Sequence, residues 1–199
     1  KFWSPIAGAE HLKTREIAGI FDMTSLRRIN VTGRDAAKFL NYAAARNVAR
    51  GTGAVTYTML LDHNGGIVSD VTISQLAEDR FFIGGNSPRD VVWLKSISAG
   101  YDVQIEDVTN GTTCIAVWGP QAREILAPIT DTDLTNDTFK YFNAKETSVA
   151  GVAVTAVRVS YVGELGWELH HPIEYQNHIF DALMTAGAEF GLKPFGIRA

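Results

Sequence analysis

Hairpins, helices and further strands follow one another in mixed order along this chain. That order points to an α+β fold with antiparallel sheets flanked by helices. Three stretches carry the expectation. Residues 55–74 read as two strands around Asn64-Gly65. Residues 152–161 alternate between two faces and lead through a glycine-containing bend into another strand. Residues 173–190 place Tyr175, Ile179, Leu183 and Ala186 at three- and four-residue steps, the spacing of an amphipathic helix capped by Gly191.

The remaining elements follow in order. Residues 9–20 suit a helix with Leu12, Ile17 and Ile20 toward one side, and 28–32 a short strand. Residues 35–46 suit a helix with Ala36, Phe39, Leu40 and Ala43 as its apolar stripe. After the 55–74 hairpin come a turn at 77–80 and a strand at 81–86. Ser87-Pro88-Arg89-Asp90 then opens a helix, with Ser as N-cap, Pro at N1 and Asp at N3. Residues 102–108 and 113–118 read as strands. Gly119-Pro120-Gln121 opens a helix with Ala122, Ile125 and Leu126 inward, and 127–141 is turn-rich without a definite element.

The chain of 199 residues suffices for one domain or two small ones. Its net charge of −4 argues against a nucleic-acid footprint, which needs clustered Lys and Arg. No apolar run approaches the roughly 20 residues of a membrane span, and no signal peptide opens at Lys1. The single cysteine, Cys114, lies in an apolar strand and reads as a buried structural thiol in a reducing compartment. The expected location is cytoplasmic, or the mitochondrial matrix in a eukaryote. The end at Arg198-Ala199 does not resemble a natural terminus, so the chain reads as a fragment.

Two constellations stand out chemically. If Asn64-Gly65 is a two-residue type I′ loop, His63 pairs with Gly66, Met59 faces Asp70 and Tyr57 faces Thr72. Tyr57 and Asp70 then share a face as diagonal neighbours. Asp is disfavoured in mid-strand, and broken local rules often mark function; the bland alternative is a solvent-facing Asp on a half-exposed strand. In the second stretch, 161–169, and the strand that continues it to His171, Glu164, Gly166, Glu168 and His170 point to one side. Gly166 would leave room for a flat ligand beside Glu168, whose carboxylate is a good acceptor for two adjacent N–H donors. The alternative is a solvated strand face with a glycine-assisted turn. His63, His170, His171 and His178 lack ligand spacing, and no metal is expected.

Several segments resemble one family in register. They are Tyr57-Thr58-Met59-Leu60, Gly65-Gly66-Ile67-Val68-Ser69-Asp70, Asn86 at its strand end, Trp118-Gly119-Pro120-Gln121-Ala122, and Tyr161-Val162-Gly163-Glu164-Leu165-Gly166-Trp167-Glu168. This set resembles the folate-binding domain of the aminomethyltransferase family, typified by the glycine-cleavage T-protein. It looks closest to the folate domain that follows the flavin domain in dimethylglycine and sarcosine dehydrogenases. The resemblance implies one folate-binding unit over 1–199 made of two interlaced ferredoxin-like subdomains, roughly 1–28 with 111–199 and 29–110. It places the family's C-terminal β-barrel outside the chain. It further implies that tetrahydrofolate is the cofactor. By the same resemblance, Asp70 matches the essential aspartate beside the reactive folate nitrogens, Tyr57 and Asn86 match residues around the folate, Glu168 matches the carboxylate that holds the pterin, and Tyr161 lines the same cleft. The T-protein carries a second Asp where Ser69 stands, and its arginine near the end of this region falls past Ala199.

The implied reaction is transfer of a one-carbon unit from a small amine donor to the folate, giving 5,10-methylenetetrahydrofolate. Any FAD belongs to a separate oxidoreductase domain, because the chain has no Gly-x-Gly-x-x-Gly fingerprint. Two other readings belong to the same fold: a non-catalytic folate-binding module of the kind that supports iron–sulfur enzymes, and a folate-dependent demethylase of a sulfonium compound such as dimethylsulfoniopropionate. The retained Asp70 favours an enzyme over the non-catalytic module.

Overall fold

The computed structural model describes residues 4–199. In chain order the elements are α1 (Pro5–Glu16), β1 (Gly19–Asp22), β2 (Arg27–Thr32), α2 (Ala36–Ala43), β3 (Val55–Leu61), β4 (Ile67–Ala77), β5 (Arg80–Gly85), α3 (Pro88–Ser96), β6 (Gln104–Asp107), β7 (Thr112–Trp118), α4 (Ala122–Leu126), β8 (Ala144–Val149), β9 (Val152–Val157), β10 (Gly166–Pro172), α5 (Gln176–Ala186) and β11 (Lys193–Pro194). The fold is α+β, with two largely antiparallel sheets and helices packed on them. No helix among the described residues is long and apolar enough to cross a membrane.

The chain divides into two compact units. One comprises the chain up to Met23, Thr113–Tyr141 and Glu146–Ala199; the other comprises Thr24–Thr112 and Phe142–Lys145. The second unit is built on the five-stranded sheet β3-β4-β5-β2-β6. Its inner face meets the apolar stripe of α2, so Phe39 and Leu40 pack with Ile29, Leu60, Ile73 and Ile83, all fully buried. The helix stops at Ala43 because the next residues turn to strand pairing: Ala44 bridges Leu60, and the Ala45 N–H donates to the Met59 carbonyl. Arg28 is 1% exposed and binds both ends of the Thr24–Thr112 segment. Its guanidinium donates to the carbonyls of Thr24, Leu26, Thr109 and Thr112 and to the Thr112 hydroxyl. The five-donor planar fork of arginine suits that ring of acceptors.

The first unit is built on the sheet β11-β1-β7-β10-β9-β8. One face carries the core of Ile115, Val117, Val154, Trp167 and Leu169, closed by Ile125, Ile179 and Leu183 from α4 and α5. Trp167 is fully buried. The Phe139 ring meets it edge-on at 6.0 Å, and the guanidinium groups of Arg158 and Arg123 lie 5.6 and 6.0 Å from its ring centre. Arg158 satisfies its charge on the Phe139 carbonyl and on Asn136 Oδ1. Burial, and then the neighbouring Arg123 charge, pull its pKa below the usual guanidinium value.

Several expected boundaries move. The first helix spans Pro5–Glu16 rather than 9–20, because Ser4 caps it and Pro5 starts it. Gly19 and Ile20 belong to β1, and Leu12 is 57% exposed instead of facing a core. The strand from Val152 ends at Val157, short of Tyr161. The last long helix ends at Ala186, where the Gly187 N–H closes on Leu183; Gly191, at φ 67°, lies in the turn before β11. The edge strands β8 and β11 carry no sequence signal strong enough to be read in advance.

The hairpin also differs from expectation. The Asp62 carbonyl accepts from Gly65, Asp62 pairs with Gly66 rather than His63 doing so, and only Gly65 has positive φ, at 81°. The loop is therefore His63-Asn64-Gly65, a turn closed by a left-handed glycine, not a two-residue type I′ turn. Asp62 Oδ1 accepts from the N–H groups of Asn64 and Gly66, which favours this longer form. The register shifts by one between Leu60 and Leu61, with Val68 as the extra residue, so Met59 still faces Asp70 and Tyr57 still faces Thr72.

Arg28→Lys is expected to destabilise the protein by roughly 2–4 kcal/mol, because an ammonium cannot reach the same ring of buried acceptors. Denaturant unfolding checks this, and a loss below about 0.5 kcal/mol would show the ring to be dispensable.

Candidate functional site

Two polar clusters carry chemistry, one in each unit. The first grows from strand pairing. Side chains of Tyr57, Met59, Asp70 and Thr72 share the outer face of the five-stranded sheet, since Val71 and Ile73 take the inner one. β5 pairs with β4 through Thr72 and Gly84. Continuing that ladder by two residues puts Asn86 opposite Asp70. The N–H of Asn86 donates to Asp90 Oδ2 at 2.7 Å, within the capping box that starts α3. The helix start thus fixes where β5 ends and where the Asn86 side chain leaves the backbone.

Three side chains converge there. The Tyr57 hydroxyl donates to Asp70 Oδ2 at 2.9 Å. Asn86 Nδ2 donates to Asp70 Oδ1 at 3.0 Å, to the Asp70 carbonyl at 2.7 Å and to Ser69 Oγ at 3.3 Å. The hydrogen bond to Asp70, then desolvation, then the Asp70 charge, hold the Tyr57 phenol above its ordinary pKa. Tyr57 is 41% exposed, and Asp70 and Asn86 are exposed as well. Each carboxylate oxygen has one donor and retains a lone pair for an incoming group. This is an oriented, accessible anion, suited to facing a cation or taking a proton.

The second cluster lies on the first unit. Glu168 and His170 are two apart on β10 and share a face; Cys114 comes from the adjacent β7. His170 Nε2 is 3.2 Å from Glu168 Oε2 and 3.7 Å from Cys114 Sγ. Glu168 is only 8% exposed, so the picture of a solvated strand face does not hold. The role expected of Gly166 also changes. A Cβ there would stand 2.0 Å from the Val117 carbonyl oxygen and 2.6 Å from the Trp118 ring. The glycine lets β7 approach and leaves no slot for a ligand. Tyr161 lies between β9 and β10 and is 79% exposed; among the described residues no hydrogen bond or ring contact joins it to Glu168.

Sequence reading brought Tyr57 to Asp70 by register, and grouped Glu168 with His170 by alternation. It missed Ser69 as a partner of Asn86, and Cys114 as a neighbour of His170. The second contact depends on pairing strands some fifty residues apart, for which no local signal exists. The thiol, carboxylate and imidazole atoms all lie within 4.8 Å of one another, a set that spacing alone did not disclose. Three other histidines are engaged separately: His63 against the Trp93 ring, His171 with the Leu169 carbonyl and Gln176, and His178 with the Ala150 carbonyl.

Comparison with known proteins agrees with this architecture. The family model described as the GCVT N-terminal domain matches residues 1–199. The chain is 33% identical over 202 residues to the mitochondrial dimethylglycine dehydrogenase of Homo sapiens, covering 99% of this chain and 23% of that protein. It is 33% identical over 196 residues to the aminomethyltransferase of Thermoanaerobacter sp. (strain X514), covering 96% of this chain and 53% of the relative. The crystal structure of glycine cleavage system aminomethyltransferase T from Bartonella henselae superposes with a TM-score of 0.84 at 29% identity, over 96% of this chain and 51% of that one. The chain thus spans about half the length of the aminomethyltransferases it matches and under a quarter of the dehydrogenase. With its sheets, its hairpin and its whole length matched, the chain belongs to the GCVT N-terminal domain family.

Proposed function

We propose that this chain is a tetrahydrofolate-dependent one-carbon transfer domain, taking an aminomethyl or methylene carbon from an amine donor. The observation that carries the reading is the Asp70 carboxylate, exposed on the sheet face and oriented from both sides by Tyr57 and Asn86. Tetrahydrofolate, when bound, supplies the nucleophilic nitrogens that accept one carbon at the oxidation level of formaldehyde. With folate bound, Asp70 would face the positive charge on the donor carbon and would be the acceptor for the proton of the attacking nitrogen, the donor amine leaving with the electron pair of its broken carbon–nitrogen bond. The Tyr57 and Asn86 hydrogen bonds hold the carboxylate plane, so little reorganisation accompanies the chemistry.

Glu168 is assigned to the pterin's amino-pyrimidinone edge, where an N–H and an amino group make a two-donor fork matching a carboxylate. Its chemistry fits: the buried carboxylate has His170 on Oε2 and a second oxygen without a hydrogen-bond partner among the described residues. Tyr161 is assigned to the pterin wall. The name of the dimethylglycine dehydrogenase relative supports an oxidoreductase domain of the parent protein as source of the activated donor, with FAD as the cofactor that the family resemblance implies for it.

Titration with tetrahydrofolate or its 5-formyl analogue tests the reading, and saturable binding is expected; no binding by the full-length protein would remove it. Glu168→Gln should weaken that binding by about 1.5–3 kcal/mol, the range of a charge-assisted hydrogen bond. In the full-length protein Asp70→Asn is expected to slow formation of methylenetetrahydrofolate about 100-fold or more, with a much smaller change in folate affinity. Stability should move by less than about 0.5 kcal/mol, because Asp70 is exposed. A variant making the product at the normal rate would reduce Asp70 to a structural residue.

The raised phenol pKa gives a pH test. Tyr57 remains a donor up to and past the ordinary phenol range, and its bond to Asp70 is lost as pH rises through the raised value. In Asp70→Asn the Tyr57 pKa should fall toward that of a free phenol, as followed by ring-carbon NMR. An unmoved titration would contradict the assigned cause.

A further inference from the structure

We propose that His170 is a positioning residue that orients the Glu168 carboxylate and thereby sets selectivity for the amino-bearing edge of a pterin; this rests on the assignment of Glu168 above. The argument begins with burial. Glu168 and His170 are each 8% exposed, and Cys114 is 1% exposed. A buried carboxylate needs donors, and among the described residues the one hydrogen-bond partner of the Glu168 side chain is His170 Nε2, at 3.2 Å. The atoms facing Nε2 are a carboxylate oxygen and a thiol sulfur. A proton on Nε2 serves the carboxylate, so the geometry selects the Nε2–H tautomer.

Oε2 is thereby pinned, and Oε1 is the oxygen presented to a ligand. A carboxylate free to rotate about its last bond accepts one donor almost as well as two. A carboxylate held at one oxygen presents its plane in a fixed direction, and a two-donor edge gains over a single-donor edge. Cys114 Sγ lies 3.7 Å from the same nitrogen, so the buried thiol packs beside the Glu168–His170 contact. The neighbouring Trp118, fully buried and tied to the Val159 carbonyl through its indole N–H, closes the same sheet face. His170 does not touch the ligand in this scheme. It acts through Glu168, and its signature is discrimination more than affinity.

The experiment compares binding of tetrahydrofolate and of its 2-desamino analogue to the full-length protein and to Glu168→Gln, His170→Gln and His170→Leu. Thermal unfolding establishes that each variant is folded. Preference for tetrahydrofolate by about tenfold or more is expected in the parent, as for one charge-assisted hydrogen bond. Glu168→Gln should abolish the preference, and His170→Leu should reduce it to within about threefold of unity. His170→Gln keeps a donor and should retain most of it. A folded His170→Leu that keeps the full preference, while Glu168→Gln loses it, overturns the role of His170 and leaves Glu168 in place. If Glu168→Gln keeps the preference as well, the Glu168 assignment itself falls, and this inference with it. Titration with Zn²⁺ supplies a further check. Tight binding lost in both Cys114→Ser and His170→Gln would make the cluster a cation site and overturn the positioning role.

Discussion

The pairing register of β3, β4 and β5 is the constraint on which the candidate chemistry depends. Alternation along a strand has period two, so a slip of one residue would send Asp70 into the core of Phe39, Leu40 and Ile83 and bring Val71 to the surface. The turn, left to itself, would cause that slip, because Asp62 draws in two N–H groups and lengthens the loop to three residues. The extra residue at Val68 cancels it. An irregularity in the ladder therefore protects the regularity that matters, and Tyr57, Asp70 and Asn86 meet on one face.

The same face shows how secondary structure positions a functional group. Asn86 is the first residue beyond β5 and the last before the cap of α3. The ladder sets its distance from Asp70, and the buried Asp90, 1% exposed, sets its backbone direction. One side chain is thus held by a sheet on one side and a helix start on the other. The Asp70 carboxylate inherits that rigidity through a bond of 3.0 Å.

The two carboxylates singled out chemically stand in opposite environments. Asp70 is exposed and receives neutral donors, which orient it without quenching its charge. Glu168 is buried beside an imidazole and a thiol on a sheet face where strands come close enough to exclude any side chain at Gly166. An exposed anion can exchange protons with an incoming group at low cost, whereas a buried one favours a fixed, charge-assisted bond. Environment thus distinguishes the two roles proposed for the same functional group.

Local pattern alone determined a good deal of this protein. The α+β class, the stripe of α2, the Ser87–Asp90 cap and the facing of Tyr57 toward Thr72 all follow from periodicity and cap chemistry within a few residues. Family likeness in the sequence points to Asp70, Asn86 and Glu168. Only the tertiary structure decided the rest. Leu12 reads as core yet faces solvent, and the strand face of Glu168, for which a solvated setting was the alternative, is buried, because burial depends on what distant segments cover. Cys114 meets His170, and Gly166 yields to the Val117 carbonyl, through pairing of β7 with β10. The physical reason is that periodicity tells which side of an element faces inward, while contacts between strands far apart in sequence depend on a register that no short window contains.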